Sequence, residues 1–295
     1  MLKRTLVFSS PMILSLKNLQ LIVAYKDSPD EKRTIPIEDV GVVLLENQQT
    51  CITLPLLNAL AESEVQVIIC NSKGMPSAMI QSMNSNNLQG ETLRNQIACS
   101  EVLKKQLWKQ VVEAKIKNQA SLLNSVGEDG NVLKPFYSNV RSGDVDNREG
   151  IAARIYFQHL FGDSFIRDRD EQGINALLNY GYSILRAATC RAIVSSGLLP
   201  AIGIYHHNRS NAYPLADDLM EPFRPFVDGV VYDLAMHSKT ELIKEVKAEL
   251  ISVLYADTIY EKVKRPLSVG LSMTTASMVK CLSKELNSLS LPALP

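Results

Sequence analysis

Apolar positions in the first 85 residues come in short runs. Leu6-Val7-Phe8, Ile13-Leu14-Ser15-Leu16, Leu19-Gln20-Leu21-Ile22-Val23 and Ile35-Pro36-Ile37 are brief, aliphatic and separated by turn residues, which predicts strands. Val42-Val43-Leu44-Leu45 and Val65-Gln66-Val67-Ile68-Ile69 are more continuous and predict more deeply buried strands. One helical segment interrupts them, from Leu54 to Ser63, with Leu56, Leu57, Leu60 and Ala61 on one face and Thr53-Leu54-Pro55 at its start. The polar stretch Met83-Asn84-Ser85-Asn86-Asn87 predicts a hinge.

From Gln89 onward the period changes to that of helices. Glu91 to about Leu123 carries apolar residues at helical spacing, and Gly127-Glu128-Asp129-Gly130 makes a turn. A helix is expected to open at Arg148, after Asp144-Val145-Asp146-Asn147. Further helices are expected over Gly173–Ser196, Asp217–His237 and Thr240–Tyr255, and the segment Leu286–Pro292 is expected to fray. The chain therefore reads as α+β, with a small N-terminal β domain over 1–85 that holds one short helix. A larger all-α domain occupies 86–295.

With 295 residues, 46% of them apolar and 21% charged, the bulk of the chain has enough apolar surface to build a core. The longest aliphatic run, Val40 to Leu45, is far short of the roughly 20 residues a membrane helix needs. Met1-Leu2-Lys3-Arg4 faintly resembles a signal start, but Ser9-Ser10-Pro11 and Lys17 break the apolar stretch behind it, so a cytoplasmic protein is expected. Cys51, Cys70, Cys99, Cys190 and Cys281 are scattered and odd in number, which points to neither a disulfide framework nor a structural zinc.

Thirty-one basic residues balance 31 acidic ones, which excludes a histone-like, tail-driven nucleic-acid binder but not a local basic groove. Arg94, Lys104, Lys105, Lys109, Lys115 and Lys117 lie between Arg94 and Asn118 against Glu101 and Glu113, a local charge of +4. They read either as a solvated helix face or as a stripe facing phosphate. Tyr137, Tyr156, Tyr205 and Tyr213 can each stack on a base or simply pack.

Candidate chemistry gathers in two strings. Gly203-Ile204-Tyr205-His206-His207-Asn208 carries two adjacent imidazoles. Asp218-Leu219-Met220-Glu221-Pro222-Phe223-Arg224-Pro225 carries two carboxylates one helical turn apart, with Arg224 continuing their face. Pro222 and Pro225 are expected to bend or interrupt that helix. A helix-terminal Arg224–Glu221 ion pair, a Mg²⁺ or Mn²⁺ ligand set and a general-base pair all fit these residue types. The HExxH spacing of a zinc hydrolase is absent.

Together with Asn147-Arg148-Glu149-Gly150-Ile151-Ala152-Ala153-Arg154 upstream, these strings resemble the CRISPR-associated integrase, the universal adaptation enzyme, in its type II version. Leu6–Leu16, Ile35–Val40 and Lys73-Gly74-Met75-Pro76 share the resemblance, which runs from about residue 5 to about residue 285. It implies a dimerising N-terminal β domain and a helical catalytic domain. The implied activity is that of a metal-dependent DNA endonuclease and integrase, which inserts new spacer DNA into the repeat array by 3′-hydroxyl attack on a phosphodiester. Glu149, His206 and Glu221 are the implied catalytic metal ligands for Mg²⁺ or Mn²⁺. Asp218 and His207 stand beside them, with His206 preferred over His207 because it falls in the family's G-x-x-H frame.

Implied partners are a second copy of the chain and a small ferredoxin-like adaptation subunit, which together form a heterohexameric integration complex. Double-stranded DNA with free 3′ ends and the CRISPR repeat is the implied substrate. The RNA-guided nuclease of the same system is a further candidate partner. Expected DNA contacts are Asn208, Arg209, Asn211 and Arg224 near the metal, and Lys104, Lys105, Lys109 and Lys115 along the stripe. A branched-DNA endonuclease without integration and a noncatalytic DNA-organising scaffold are the alternatives.

Overall fold

The change of period near residue 85 is also where the structure divides. A computed structural model describes residues 4–80, 86–168 and 172–295. Its two compact units are Met1–Ser85 and Asn86–Pro295. The polar run at 83–87 falls partly on residues 83–85, outside the described residues, as do residues 1–3 of the apparent signal start. No helix among the described residues is long and apolar enough to cross a membrane.

The N-terminal unit is built from two four-stranded sheets. One has the order β1-β5-β7-β8, from Arg4–Phe8, Val40–Leu45, Gln66–Cys70 and Pro76–Ile80. The first three strands are parallel and β8 is antiparallel to β7. Every residue of β5 is buried, as its continuous aliphatic sequence requires of a central strand. The other sheet has the order β4-β3-β2-β6, from Ser28–Pro36, Gln20–Tyr25, Met12–Lys17 and Cys51–Ile52. The apolar pattern predicts β4 only around Ile35, but the strand begins at Ser28. Its charged residues Asp30-Glu31-Lys32-Arg33 suit an exposed edge. Helix α1, Leu54–Glu62, turns Leu56 and Leu60 into a core shared with Phe8, Leu14, Leu21, Val43 and Val67.

The second unit is mainly helical. Its helices are α2 (Gln89–Ile97), α3 (Glu101–Ser125), α4 (Lys134–Tyr137), α5 (Arg148–Phe161) and α6 (Ile174–Ser195). They continue with α7 (Pro214–Met220), α8 (Arg224–Met236), α9 (Lys244–Ser252) and α10 (Leu267–Leu282). The single helix expected over 91–123 is two, because Ser100 leaves helical geometry and its hydroxyl caps α3 by accepting from Leu103 N–H at 3.3 Å. One hairpin, β9 (Asp257–Tyr260) with β10 (Val263–Pro266), departs from the all-α expectation. Between α7 and α8 the residues Glu221–Phe223 form a 3₁₀ turn, the interruption that Pro222 and Pro225 demand.

The C-terminal segment expected to fray is held in place. Its backbone groups find fixed partners on α3 and α10, which its own composition does not reveal. Gln110 receives Leu289 N–H at 2.8 Å and Ser277 Oγ receives Ser290 N–H at 2.9 Å. Asn118, buried in α3, donates to Pro222 O at 2.7 Å and to Pro292 O at 3.0 Å, and accepts from Leu294 N–H at 3.0 Å. One side-chain amide thus ties the tail to the turn that contains Glu221. Asn118→Ala strands two buried carbonyls and one N–H. It is expected to destabilise the chain by about 2–3 kcal/mol in urea unfolding, whereas a surface substitution such as Lys117→Ala should stay within about 0.5 kcal/mol.

Candidate metal and nucleic-acid site

The site is assembled on four segments of the helical unit. The start of α5 carries Glu149. Asp144, itself buried, closes that helix end: Oδ1 accepts from Arg148 N–H at 2.9 Å and Oδ2 from Glu149 N–H at 3.0 Å. Asp144 and Asn147 both adopt positive φ, 49° and 50°, a conformation that short polar residues tolerate best. The backbone of Glu149 is therefore fixed before its carboxylate meets anything.

Glu221 sits in the 3₁₀ turn at 5% exposure. Arg224 Nε donates to its Oε1 at 2.9 Å. Lys115, from the middle of α3 and only 6% exposed, stands between the two glutamates. Its ammonium donates to Glu149 Oε1 and lies 2.5 Å from Glu221 Oε2. The two glutamates therefore share one ammonium as ion-pair partners. Burial alone would lower the pKa of Lys115, but the charges of Glu149 and Glu221 outweigh it and raise the value. Burial likewise pushes Glu221 up, while Arg224 and Lys115 more than reverse this and hold it well below the usual carboxylate range.

His206 is oriented from behind. Asp218, at 0% exposure, accepts from the backbone N–H groups of Ile204 at 2.7 Å, Tyr205 at 3.1 Å and His206 at 3.1 Å. The same carboxylate meets His206 Nδ1 at 2.6 Å. A carboxylate can only accept, so Nδ1 carries a hydrogen and Nε2 is the ring nitrogen turned away from Asp218. The Asp218 hydrogen bond raises the pKa of His206 and burial partly offsets it. Gly203 makes this packing possible, since a Cβ there would come within 2.8 Å of Asp218 Oδ2. Adjacent His207 is exposed. Glu221 lies within electrostatic reach of His206.

Trp108 stacks on Tyr205 with ring centres 4.1 Å apart and meets His206 edge-on at 5.6 Å. Tyr205 stays 39% exposed, whereas Tyr156 is fully buried and spends its hydroxyl on Asp228 at 2.8 Å. The expected DNA contacts separate into two kinds. Lys105, Asn208 and Arg209 are exposed, and Lys104 and Lys109 form ion pairs with Glu101 and Glu113. Asn211 donates to Asp217 at 2.7 Å, which braces the 208–213 loop together with Arg186. Lys115 does not belong to an exposed stripe: it shares a helix face with Trp108, Val111 and Asn118, which is turned into the core. Arg224 is committed to Glu221 and stacks over Tyr182 at 4.4 Å.

Two carboxylates and one imidazole make a donor set suited to Mg²⁺ or Mn²⁺, and the ammonium between the carboxylates marks a point that already holds a cation. Among the described residues, no three His, Cys, Asp or Glu side chains are spaced to hold a metal as they stand. The ammonium of Lys115 takes up the position between Glu149 and Glu221. Lys115 is expected on an outward stripe but lies at the centre of the site, and Asp144, Asn118 and Trp108 are not singled out as site residues by the sequence. The signal that finds them is helix-face geometry, which puts a lysine, an asparagine and the tryptophan on one buried stripe.

Beneath the site lies Asp228, whose carboxylate accepts from Tyr156 and Tyr182. Burial pushes its pKa up to about 6, against an ordinary value near 3.8, and the two tyrosine hydrogen bonds pull it only part of the way back. A folded-state value above the unfolded one means that the folded chain holds the proton more tightly. This group's stabilisation is full below about pH 4 and is lost as pH rises through about 6. Asp228→Asn removes that loss. Its unfolding free energy relative to the parent should improve by about 3 kcal/mol between pH 4 and pH 7. A pH-independent difference in chemical denaturation would show that Asp228 does not titrate there.

Comparison with known proteins agrees with the motifs. The family model described as "CRISPR associated protein Cas1" matches residues 5–251. A "CRISPR-associated endonuclease Cas1" from Neisseria meningitidis serogroup C (strain 8013) is 40% identical over 263 residues, 88% of this chain and 85% of that protein. Among solved structures, "Casposase bound to integration product" superposes with a TM-score of 0.80 at 21% identity, covering 98% of this chain and 93% of that one. A chain of a "Cas6-RT-Cas1--Cas2 complex" gives 0.73 at 21% identity, over 97% of this chain and 35% of the other. At these identities the two structures establish the fold.

Proposed function

The chain belongs to the CRISPR-associated Cas1 family, and we propose that it is a metal-dependent DNA endonuclease and integrase of CRISPR adaptation. In this reading a DNA 3′-hydroxyl attacks a phosphodiester of the repeat array. One phosphorus–oxygen bond forms as another breaks, and the displaced 3′-oxygen leaves with a proton. The observation that carries the reading is the meeting of Glu149 and Glu221 on one cationic point, with His206 oriented by Asp218 beside them.

Glu149, Glu221 and His206 Nε2 are the residues that would hold Mg²⁺ or Mn²⁺. Bound there, the ion supplies polarisation of the phosphoryl oxygen and a lowered pKa for the attacking hydroxyl. The chain's own residues do the positioning. Asp218 fixes the imidazole, Asp144 fixes the start of α5, and Arg224 holds Glu221 ionised. Lys104, Lys105 and Lys109 on α3, with Arg209 in the neighbouring loop, are the cations available to DNA phosphates.

Family membership also supports assembly with a second copy through the N-terminal unit and with a small adaptation subunit. The fold neighbour in a Cas1–Cas2 complex is consistent with this. Duplex DNA with free 3′ ends and the CRISPR repeat is the substrate this reading requires, with the system's RNA-guided nuclease as a further partner.

Glu149→Ala, His206→Ala and Glu221→Ala are each expected to reduce strand transfer by at least about a hundredfold at unchanged fold, and EDTA should stop it in the parent chain. His207→Ala serves as the control and should retain most activity. Near-normal strand transfer by any of the three removes that residue from the ligand set. Cleavage of branched DNA without strand transfer would select the nuclease alternative, and inactivity of the parent with either metal would favour the scaffold.

DNA binding gives a separate readout. Lys104, Lys105 and Lys109 changed together to Ala should flatten the slope of log affinity against log salt by about 2–3, and Arg209→Ala by about 1. Different sequences should weaken about equally, because phosphate contacts position without specifying. An unchanged slope in the triple variant would leave the DNA path to the 208–211 loop.

A further inference from the structure

Lys115 is a long cation buried on the inner face of α3 and committed to two acceptors at once. One is Glu149, at the start of α5, and the other is Glu221, in the turn between α7 and α8. One ammonium thus holds both carboxylates: it donates to Glu149 Oε1 and lies 2.5 Å from Glu221 Oε2. An ammonium brings one positive charge to this point, whereas a divalent ion brings two and takes oxygen ligands from both carboxylates. Its stem is flexible and unbranched, so the head can leave without moving α3.

We propose that Lys115 is the resident counter-cation of the metal-free site, and that a divalent metal enters only by displacing its ammonium from between Glu149 and Glu221. This rests on the metal-site reading and deepens it. Lys115 stands between the buried Glu221 carboxylate, which Arg224 also holds, and the half-buried Glu149 carboxylate, so the two like charges face each other through a cation. The same contact makes it a competitor, so metal affinity is set partly by a residue that is not a ligand. Lys115 is a positioning residue in this sense: it keeps the two carboxylates converged while no metal is present.

The test is Mn²⁺ binding to the full chain. Calorimetry gives the affinity. The fluorescence of Trp108, the only tryptophan and edge-on to His206, reports whether the paramagnetic ion sits at this site. Lys115→Met and Lys115→Gln should each bind Mn²⁺ about tenfold more tightly than the parent, with Trp108 quenched in all three. The melting temperature of both variants should rise more on Mn²⁺ addition than that of the parent, because their metal-free forms carry the unpaired carboxylates.

Equal or weaker Mn²⁺ affinity in both variants, with parent-like circular dichroism and quenching, would overturn the proposal and leave the metal site standing. If Lys115→Met fails to fold, the more polar Lys115→Gln decides alone. Absence of quenching in the parent, or binding unaffected by Glu221→Ala, would sink the metal-site reading and this proposal with it.

Discussion

Two glutamates of like charge, Glu221 buried and Glu149 half-buried, converge on one ammonium, and the helical unit is organised around keeping them there. Like charges a few ångströms apart repel by about 4 kcal/mol at the effective dielectric of a protein site, and burial adds a desolvation cost. Cations answer on two sides. Lys115 enters from α3 and Arg224 from the start of α8, and Glu221 stays ionised despite burial because both press on it. Arg224 is held in turn by the Tyr182 ring, and Tyr182 by Asp228, which Tyr156 of α5 also reaches. One polar path thus runs from the candidate centre into the core and back to the helix that carries Glu149.

The imidazole side obeys a different logic. A single carboxylate, Asp218, gathers three backbone N–H groups and one ring nitrogen, so the loop before His206 and the ring itself are set by the same atoms. That demands a glycine at 203 and a fully buried aspartate. Neither can be varied without moving the ring. Preorganisation of this kind fixes the ring, and it separates His206 from exposed His207 by environment where residue type does not distinguish them.

Much of this was legible in the chain. The strand-to-helix change of period, the proline-broken helix at Glu221 and the start of α5 at Arg148 come from local rules, and the motif strings carried the family. The features that escaped share one cause. Counting charge from Arg94 to Asn118 treats every lysine as outward, yet Lys115 lies on the face of Trp108 and Val111 and turns inward. The split at Ser100 was hidden by apolar residues that keep helical spacing through it. The C-terminal segment reads as a tail because its composition is polar and proline-containing. Its partners, Gln110, Asn118 and Ser277, lie far away in sequence and become visible only in the fold.

The inward lysine also changes how the neutral net charge should be understood. Glu149 and Glu221 are matched by Lys115 and Arg224, and Asp217 by Arg186. The centre is balanced and offers a phosphate little attraction. A divalent ion taking the place of one ammonium adds two positive charges without removing the lysine from the chain, so the loaded centre carries a surplus that phosphate oxygens can meet. If the proposed exchange takes place, metal and DNA favour each other's binding, and by linkage the coupling is reciprocal: whatever the metal adds to DNA affinity, DNA adds to metal affinity. On the proposed reading, a balanced centre with a displaceable cation would delay strong phosphate binding until a divalent ion is bound.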